Sequence, residues 1–132
     1  MKDYKKIYQE WLTNPYFDEA TKNELRAIAN DENEIKERFY QDLAFGTAGL
    51  RGIIGAGINR MNVYVVRRAT QGLADYIIET FPEKAKSGKL KAVIAHDSRR
   101  YSDVFAEATA LIFAANGFTV YLFSALRPTP EL

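Results

Sequence analysis

A strand, a helix and a second strand are predicted by residues 91–123, which read KAVIAHDSRRYSDVFAEATALIFAANGFTVYLF. The apolar runs at 91–95 and 118–123 predict two buried strands. Between them, Ser102 predicts the start of a helix, and the Asn-Gly pair at 116–117 predicts its end. Because a helix separates the two strands, we expect them to pair in parallel through a right-handed crossover.

The chain before this unit contains further predicted helices and strands. Residues 62–80 predict a long helix that is capped by Asn62 and carries Leu73 on its apolar face, and residues 82–89 predict a loop. Residues 42–60 carry five of the eight glycines. The apolar pieces of this stretch, at 43–45 and 50–54, predict short strands joined by turns, because a helix does not tolerate so many glycines.

Three short amphipathic helices are predicted in residues 1–41. Asp3 is a candidate N-cap of the first helix, and Asp31 is a candidate N-cap of the third. The second helix begins near Asp18 or Thr21, since Thr21 has capping-box spacing to the glutamate three residues on. We expect the aromatic side chains of these helices to dock them on the protein core.

Together these elements predict an α/β fold with a mixed, mostly parallel sheet layered with helices. We expect a helical leader over residues 1–41 and an α/β domain over residues 42–132. Hydrophobic residues make up 47% of the chain and charged residues 27%, which is typical of a soluble globular protein. The formal net charge of +1 argues against nucleic acid or an anionic membrane as a partner.

The cysteine and histidine content excludes several classes of site. Cysteine is absent, which excludes disulfides and thiolate nucleophiles, and the single histidine, His96, excludes an all-imidazole metal site. No stretch approaches the roughly 20 consecutive apolar residues of a membrane span, and no apolar signal follows the N-terminus. We therefore expect a cytoplasmic protein.

Three segments that bear arginine follow predicted strands, at 46–51, 96–100 and 127–130. Open α/β sheets bind ligands at the carboxyl ends of their strands. Arg51 stands among glycines, which let backbone N–H groups approach an anion closely, and a guanidinium makes two parallel hydrogen bonds to a phosphate. The pattern therefore favours a small phosphorylated ligand.

A structural interpretation of the same residues stays open. The glycines are spaced three apart, which differs from the dinucleotide-binding fingerprint, and no P-loop lysine follows them. In this interpretation Arg51 caps a carbonyl or pairs with Asp42. His96 is then a hydrogen-bonded structural group, and Asp97 holds a local turn through nearby backbone N–H groups.

Four motifs follow one another along the chain. They are DLAFGTAGLRG at 42–52, GAGINRMN at 55–62, IAHDSRR at 94–100 and LRPTPEL at 126–132. Together they resemble the start of an α-D-phosphohexomutase, and in particular its bacterial α-phosphoglucomutase branch, which also begins with a helical leader. The implied fold is the first α/β/α domain of that superfamily, in incomplete form.

The resemblance implies a phosphoryl transfer that interconverts glucose 1-phosphate and glucose 6-phosphate through a 1,6-bisphosphate. In the family a phosphoserine is the donor and Mg²⁺ binds beside it, so catalysis depends on positioning and on cations that offset charge. Carried over to this sequence, Arg51 matches the arginine that faces the phosphoserine and the bisphosphate. Thr47, Ala48 and Gly49 would shape its loop.

A second group of residues is given a supporting role by the same resemblance. Arg99 matches the arginine of an Asp-x-Arg segment, and we expect it to act mostly structurally, together with Asp97 and His96.

The family's phosphoserine loop, its magnesium loop and its sugar-selecting loop come after the motif that ends here at Leu132. We therefore expect no catalytic serine, no metal ligand and no mutase activity in this chain alone. Mg²⁺ and glucose 1,6-bisphosphate would be cofactors of the full-length enzyme and would not bind this chain alone. The expected partners are a phosphosugar and the remaining domains of the same polypeptide, with self-association through an unpaired sheet edge.

Two other functions remain open at this point. The first is a non-catalytic α/β module that binds a phosphorylated metabolite. The second is a purely structural or interaction fragment.

Overall fold

The chain contains helices and short strands in the computed structural model, which describes residues 3–46, 49–50, 52–96 and 102–124. The predicted α/β class is confirmed. The chain forms two compact units, Met1–Val65 and Val66–Leu132. In chain order the elements are α1 (Tyr4–Thr13), α2 (Glu19–Arg26), α3 (Glu32–Phe39), β1 (Phe45–Gly46), β2 (Gly49–Leu50), α4 (Val63–Thr80), α5 (Pro82–Lys86), β3 (Lys91–His96), α6 (Ser102–Ala115) and β4 (Thr119–Ser124).

Each of the first three helices begins with an aspartate cap. The carboxylates of Asp3, Asp18 and Asp31 each accept a hydrogen bond from the backbone N–H three residues on, at 2.7 to 3.2 Å. The predicted caps at Asp3 and Asp31 are therefore confirmed. The alternative start of α2 at Thr21 is wrong, because Thr21 lies in the first turn of the helix and its N–H donates to the Asp18 carboxylate at 2.7 Å.

An aromatic core fills the first unit. The Trp11 ring stacks on Phe17 with centroids 4.2 Å apart, and its edge contacts involve Phe39 at 5.5 Å and Tyr64 at 5.7 Å. The residues buried in this core are Tyr8, Trp11, Leu25, Ile35, Phe39, Ala56 and Ile58. Because the last two come from the glycine-rich stretch, the helices of the leader and that stretch share one core.

The long helix α4 has the predicted cap. The Asn62 Oδ1 atom accepts a hydrogen bond from the Val65 N–H at 2.9 Å. In the part of α4 that belongs to the second unit, Val66, Thr70 and Ala74 are buried. Leu73, predicted on the apolar face, is instead exposed. Successive helical residues are about 100° apart, so burying the small Ala74 turns its neighbour away from the core.

A helix replaces the loop that was predicted over residues 82–89. Pro82 occupies the first turn of α5, where its fixed φ suits a helix and its missing N–H costs nothing. Glu83 lies in the first turn and Lys84 in the last, which matches the helix dipole. The polar composition of this segment indicates a loop, but the segment forms a single helical turn that ends before Gly88, a residue with φ of +70°.

Strands β3 and β4 pair in parallel, as predicted, with Lys91 opposite Thr119 and His96 opposite Ser124. Helix α6 joins them, and Gly117, with φ of +86°, follows its end as predicted. A reciprocal amide pair between Gln71 and Asn116, at 2.9 and 3.0 Å, links α4 to the end of α6.

One face of this sheet packs into the core of the second unit and the other does not. The core contains Ala74, Leu90, Phe113 and Phe118, with Ala92, Ile94 and Val120 of the strands packed against it. Val93 and Tyr121, which are opposite each other in the register, remain 67% and 45% exposed. The prediction of buried strands therefore holds for one face and is wrong for the other, because alternate side chains point to opposite faces and only one face is covered. Self-association stays a prediction.

Throughout the ranges that the structure describes, every helix is too short or too polar to cross a lipid bilayer.

Candidate functional site

The glycine-rich stretch contains a two-stranded hairpin. In it Phe45 lies opposite Leu50, and Gly46 lies opposite Gly49, in antiparallel register. The predicted site residue Gly49 is thus placed in β2. The other three predicted phosphate-binding residues, Thr47, Ala48 and Arg51, lie outside the described residues.

The strands of this stretch are shorter than predicted. Strands were expected over 43–45 and 50–54, whereas β1 and β2 contain two residues each. Beyond them, the Leu43 N–H donates to the Ile58 carbonyl at 2.9 Å, and Ile54 forms an isolated bridge with Met61. Turns and single bridges therefore take the place of longer strands, as the glycine content favours.

Backbone hydrogen bonds close the chain on itself just after residue 51. The Met61 N–H donates to the Ile53 carbonyl at 2.7 Å, and the Gly55 N–H donates to the Met61 carbonyl at 3.1 Å. Asn62 closes the loop with its side-chain amide, which donates to the carbonyls of Gly55 and Gly57, both at 2.9 Å. The same side chain that caps α4 therefore also fixes the loop before it.

Side chains of α2 and α3 hold the peptide groups of Ala56. The Ala56 N–H donates to Glu24 Oε2 at 2.8 Å, and the Ala56 carbonyl accepts from Arg38 Nη1 at 3.0 Å. Arg38 Nη1 also pairs with Glu24 Oε2. Asn59 adds two further bonds to α3, from its N–H to the Arg38 carbonyl at 2.9 Å and from its side chain to the Glu37 carbonyl at 3.0 Å.

Two guanidinium groups and two carboxylates form a charge-balanced network at this place. Arg38 Nε donates to Glu34 Oε1 at 3.0 Å, and Arg60 Nη2 lies 3.7 Å from the same oxygen. The side chains of Arg38 and Arg60 are only 14% and 6% exposed, so their charges require such partners. We call Glu24, Glu34, Arg38 and Arg60 the leader network. The network has a structural role, since its guanidinium groups donate hydrogen bonds to carboxylate and carbonyl oxygens of the protein.

Gly57 allows the chain to pass directly against α3. Its φ is +129°, and a Cβ atom at this position would lie 2.8 Å from the Arg38 carbonyl oxygen. Any other residue would therefore be both strained and in collision with backbone. The sequence motifs mark the glycines of the stretch but not the leader network, in which Arg38 pairs with Glu24, 14 positions before it, and Arg60 with Glu34.

The second predicted site segment begins at the end of the parallel sheet. His96 is the last residue of β3, and Ser124, opposite it, is the last residue of β4. The segments that start at 97 and 125 thus follow neighbouring strand ends. Asp97 and Arg99 themselves lie outside the described residues. Among the residues that are described, there is no group of three or more His, Asp or Glu side chains that could hold a metal ion.

The family described as "Phosphoglucomutase/phosphomannomutase, alpha/beta/alpha domain I" matches residues 42–132, the segment that contains the hairpin, the closed loop and the parallel sheet. The chain belongs to this phosphoglucomutase/phosphomannomutase family. The resemblance inferred from the four motifs is confirmed. The match begins after α3, so that Glu24 and Arg38 precede the part of the chain that defines the family.

Relatives with curated names extend the similarity into the leader. The chain is 41% identical over 126 residues to a probable phosphoribomutase of Schizosaccharomyces pombe, which covers 94% of this chain and 21% of the relative. It is 38% identical over 126 residues to a phosphopentomutase of Homo sapiens, a match that covers 91% of this chain and 20% of the relative. It is 37% identical over 99 residues to a phosphoglucomutase of Staphylococcus aureus (strain USA300), a match that covers 75% of this chain and 17% of the relative.

The chain therefore spans about a fifth of the length of the curated relatives it matches. No solved structure matches it significantly.

Proposed function

We propose that this chain is the N-terminal part of a phosphosugar mutase, in which it supplies part of a phosphate-binding site. Family membership carries the proposal, because the family match includes the GTAGLRG motif at 46–52. The hairpin before Arg51 and the closed loop after it support the proposal. They fix the backbone before and after Arg51 in the sequence, and recognition of a phosphate requires a cation on such a fixed backbone.

The proposed reaction moves a phosphoryl group from a phosphoserine of the full-length enzyme to O6 of glucose 1-phosphate. This forms glucose 1,6-bisphosphate and a free serine. The 1-phosphoryl group is then transferred to the serine, which regenerates the phosphoserine and leaves glucose 6-phosphate. The role of Arg51 is to offset the negative charge of the transferring group. Thr47, Ala48 and Gly49 shape its loop, and Arg99, Asp97 and His96 support a neighbouring segment.

Mg²⁺ and glucose 1,6-bisphosphate remain proposals for the full-length enzyme. The expectation that this chain supplies no metal ligand also stays a prediction. A cytoplasmic location likewise stays a prediction.

A pentose phosphate is the second candidate substrate. The relatives named phosphoribomutase or phosphopentomutase match this chain at 38 to 47% identity, against 37% for those named phosphoglucomutase. Ribose 1-phosphate should therefore be assayed beside glucose 1-phosphate on the full-length enzyme. The ratio of the two kcat/KM values decides between them.

Replacement of Arg51 tests the proposed function. In the full-length enzyme, Arg51→Ala should lower kcat at least about 10-fold, because charge stabilisation in the transition state is lost. Arg51→Lys is the matched control that keeps the charge but not the fork of donors. Product should be measured on both substrates with purified protein. An Arg51→Ala enzyme with the wild-type rate would remove Arg51 from the site.

The non-catalytic alternative gives a different result. A module that only binds a phosphorylated metabolite would show chemical-shift changes with glucose 1,6-bisphosphate, while the full-length protein would convert neither sugar phosphate.

A further inference from the structure

The Ala56 peptide groups are held from both sides by charged side chains of the leader. Glu24 accepts the N–H at 2.8 Å and Arg38 donates to the carbonyl at 3.0 Å, while the two side chains pair with each other. Hydrogen bonds that involve charged groups are stronger than neutral ones. The Arg38 side chain is 14% exposed and that of Glu24 is 42% exposed, so water competes only partly for these bonds.

The fit around Glu24 is close. A Cβ atom at Gly55 would lie 3.0 Å from Glu24 Oε2 and 3.4 Å from Arg38 Nη1. The pair therefore lies directly against the backbone of residues 55 and 56.

This anchor is connected to Arg51 through a short stretch of chain. Strand β2 ends at Leu50, the residue before Arg51, and Ile53, two residues after it, accepts a 2.7 Å hydrogen bond from Met61. Gly55 donates to the carbonyl of the same Met61 at 3.1 Å. The backbone that leaves Arg51 is thus fixed at 53 and 55 by the loop and at 56 by the leader.

We propose that Glu24, acting with Arg38, is a positioning residue for phosphosugar turnover, because it fixes the backbone that follows Arg51. The inference rests on the function proposed above. It gives the helical leader a part in the reaction although the leader lies outside the segment that matches the family. Glu24 acts through the main chain and needs no contact with the substrate.

A double-mutant cycle in the full-length enzyme tests this inference. The cycle uses Glu24→Ala, Arg51→Lys and the combination of the two, with kcat and KM measured for glucose 1-phosphate and ribose 1-phosphate. We expect Glu24→Ala to lower kcat about 10-fold with little change in KM, because positioning for transfer acts in the transition state. The double variant should be no slower than about twofold below Arg51→Lys, because residues that act as a unit are not additive.

Two further variants separate positioning from folding. Glu24→Gln keeps an acceptor for the Ala56 N–H and should recover part of the lost kcat. If Glu24→Ala does not fold, Glu24→Gln takes its place in the cycle. Glu19→Ala is the matched control on the same helix, since Glu19 is 75% exposed and makes only a surface pair with Arg26 at 3.3 Å. It should leave kcat unchanged.

The possible failures are distinguishable. Independent, multiplicative losses in the double variant would show that Glu24 does not act through Arg51, and a Glu24→Ala enzyme with the wild-type kcat would show that it does not act at all. Either result overturns the inference and leaves the proposed function standing. A wild-type full-length enzyme that converts neither sugar phosphate overturns the proposed function, and the inference with it.

Discussion

The two compact units stabilise their backbone in different ways. In the first unit, the irregular chain from Ile53 to Asn62 is held by side chains, with carboxylate, guanidinium and amide groups bonded to its peptides. In the second unit, backbone hydrogen bonds between β3 and β4 hold the two strands together, and side chains contribute mostly through burial on one face. The difference predicts that substitutions in the first unit are sensitive to geometry, whereas the open sheet face tolerates change.

Removal of the Phe39 ring should cause the largest loss of stability. The side chain is fully buried and its ring contacts Tyr8 and Trp11 edge to face. Phe39→Ala should therefore lower the free energy of unfolding by about 3–5 kcal/mol. The control, Val93→Ala on the open face, should change it by less than about 0.5 kcal/mol. Urea unfolding followed by circular dichroism measures both. Equal losses would show that the sheet face is covered after all.

A side chain at Gly57 should cause the next largest loss. Gly57→Ala places a methyl group 2.8 Å from the Arg38 carbonyl at a φ of +129°. We expect a loss of about 3 kcal/mol, at the upper end for backbone strain. Gly88→Ala in the second unit, where φ is +70° and no atom lies within 4 Å, should cost only about 1–2 kcal/mol. Equal losses of stability for Gly57→Ala and Gly88→Ala would show that the close approach of Gly57 to α3 adds nothing to the cost of the substitution.

The cap of α2 should contribute a pH-dependent increment. The Thr21 N–H holds the pKa of Asp18 below its ordinary value, so the carboxylate stabilises the folded state above about pH 4 and the contribution is lost as the pH falls through the lowered folded pKa. Asp18→Ala should cost about 1 kcal/mol at neutral pH. The difference from wild type should shrink in acid.

Asp18→Asn is the control for charge, since it keeps an acceptor for the Thr21 N–H without a titratable group. Its stability relative to Asp18→Ala should be independent of pH. A difference between wild type and Asp18→Ala that does not shrink as the pH falls would contradict the assignment of the cap.

The smallest predicted effect is a gain. Gly72 lies within α4, is exposed, and a Cβ atom there would meet nothing within 4 Å. Gly72→Ala should raise the stability by about 0.5–1 kcal/mol, because alanine loses less backbone entropy in a helix. The change in the urea midpoint measures it. A loss at Gly72 would indicate a packing role that the open surroundings do not show.

The features that were predicted correctly from the sequence depend on neighbours close along the chain. Asp3 and Asp31 bond to N–H groups three residues away, and Gly117 ends a helix through its own backbone. The parallel pairing of β3 and β4 follows from the helix between them. Family motifs could identify the glycine-rich stretch because it is a contiguous segment.

The features that were missed depend on distance or on a single turn. Leu73 and Ala74 are adjacent, and only the packing of α4 decides which of them is buried. Helix α5 is one short turn of polar residues without a periodic pattern. Glu24 lies 32 residues before Ala56, so no local rule can predict that its carboxylate bonds to that peptide.

Trp11 gives the first unit an optical label of its own. It is the single tryptophan of the sequence and is stacked on Phe17 inside the aromatic core. Its fluorescence therefore reports loosening of the leader, whereas the second unit contributes no tryptophan emission. Comparison of this emission with a whole-chain probe shows, without any added dye, whether the leader unfolds before the sheet does.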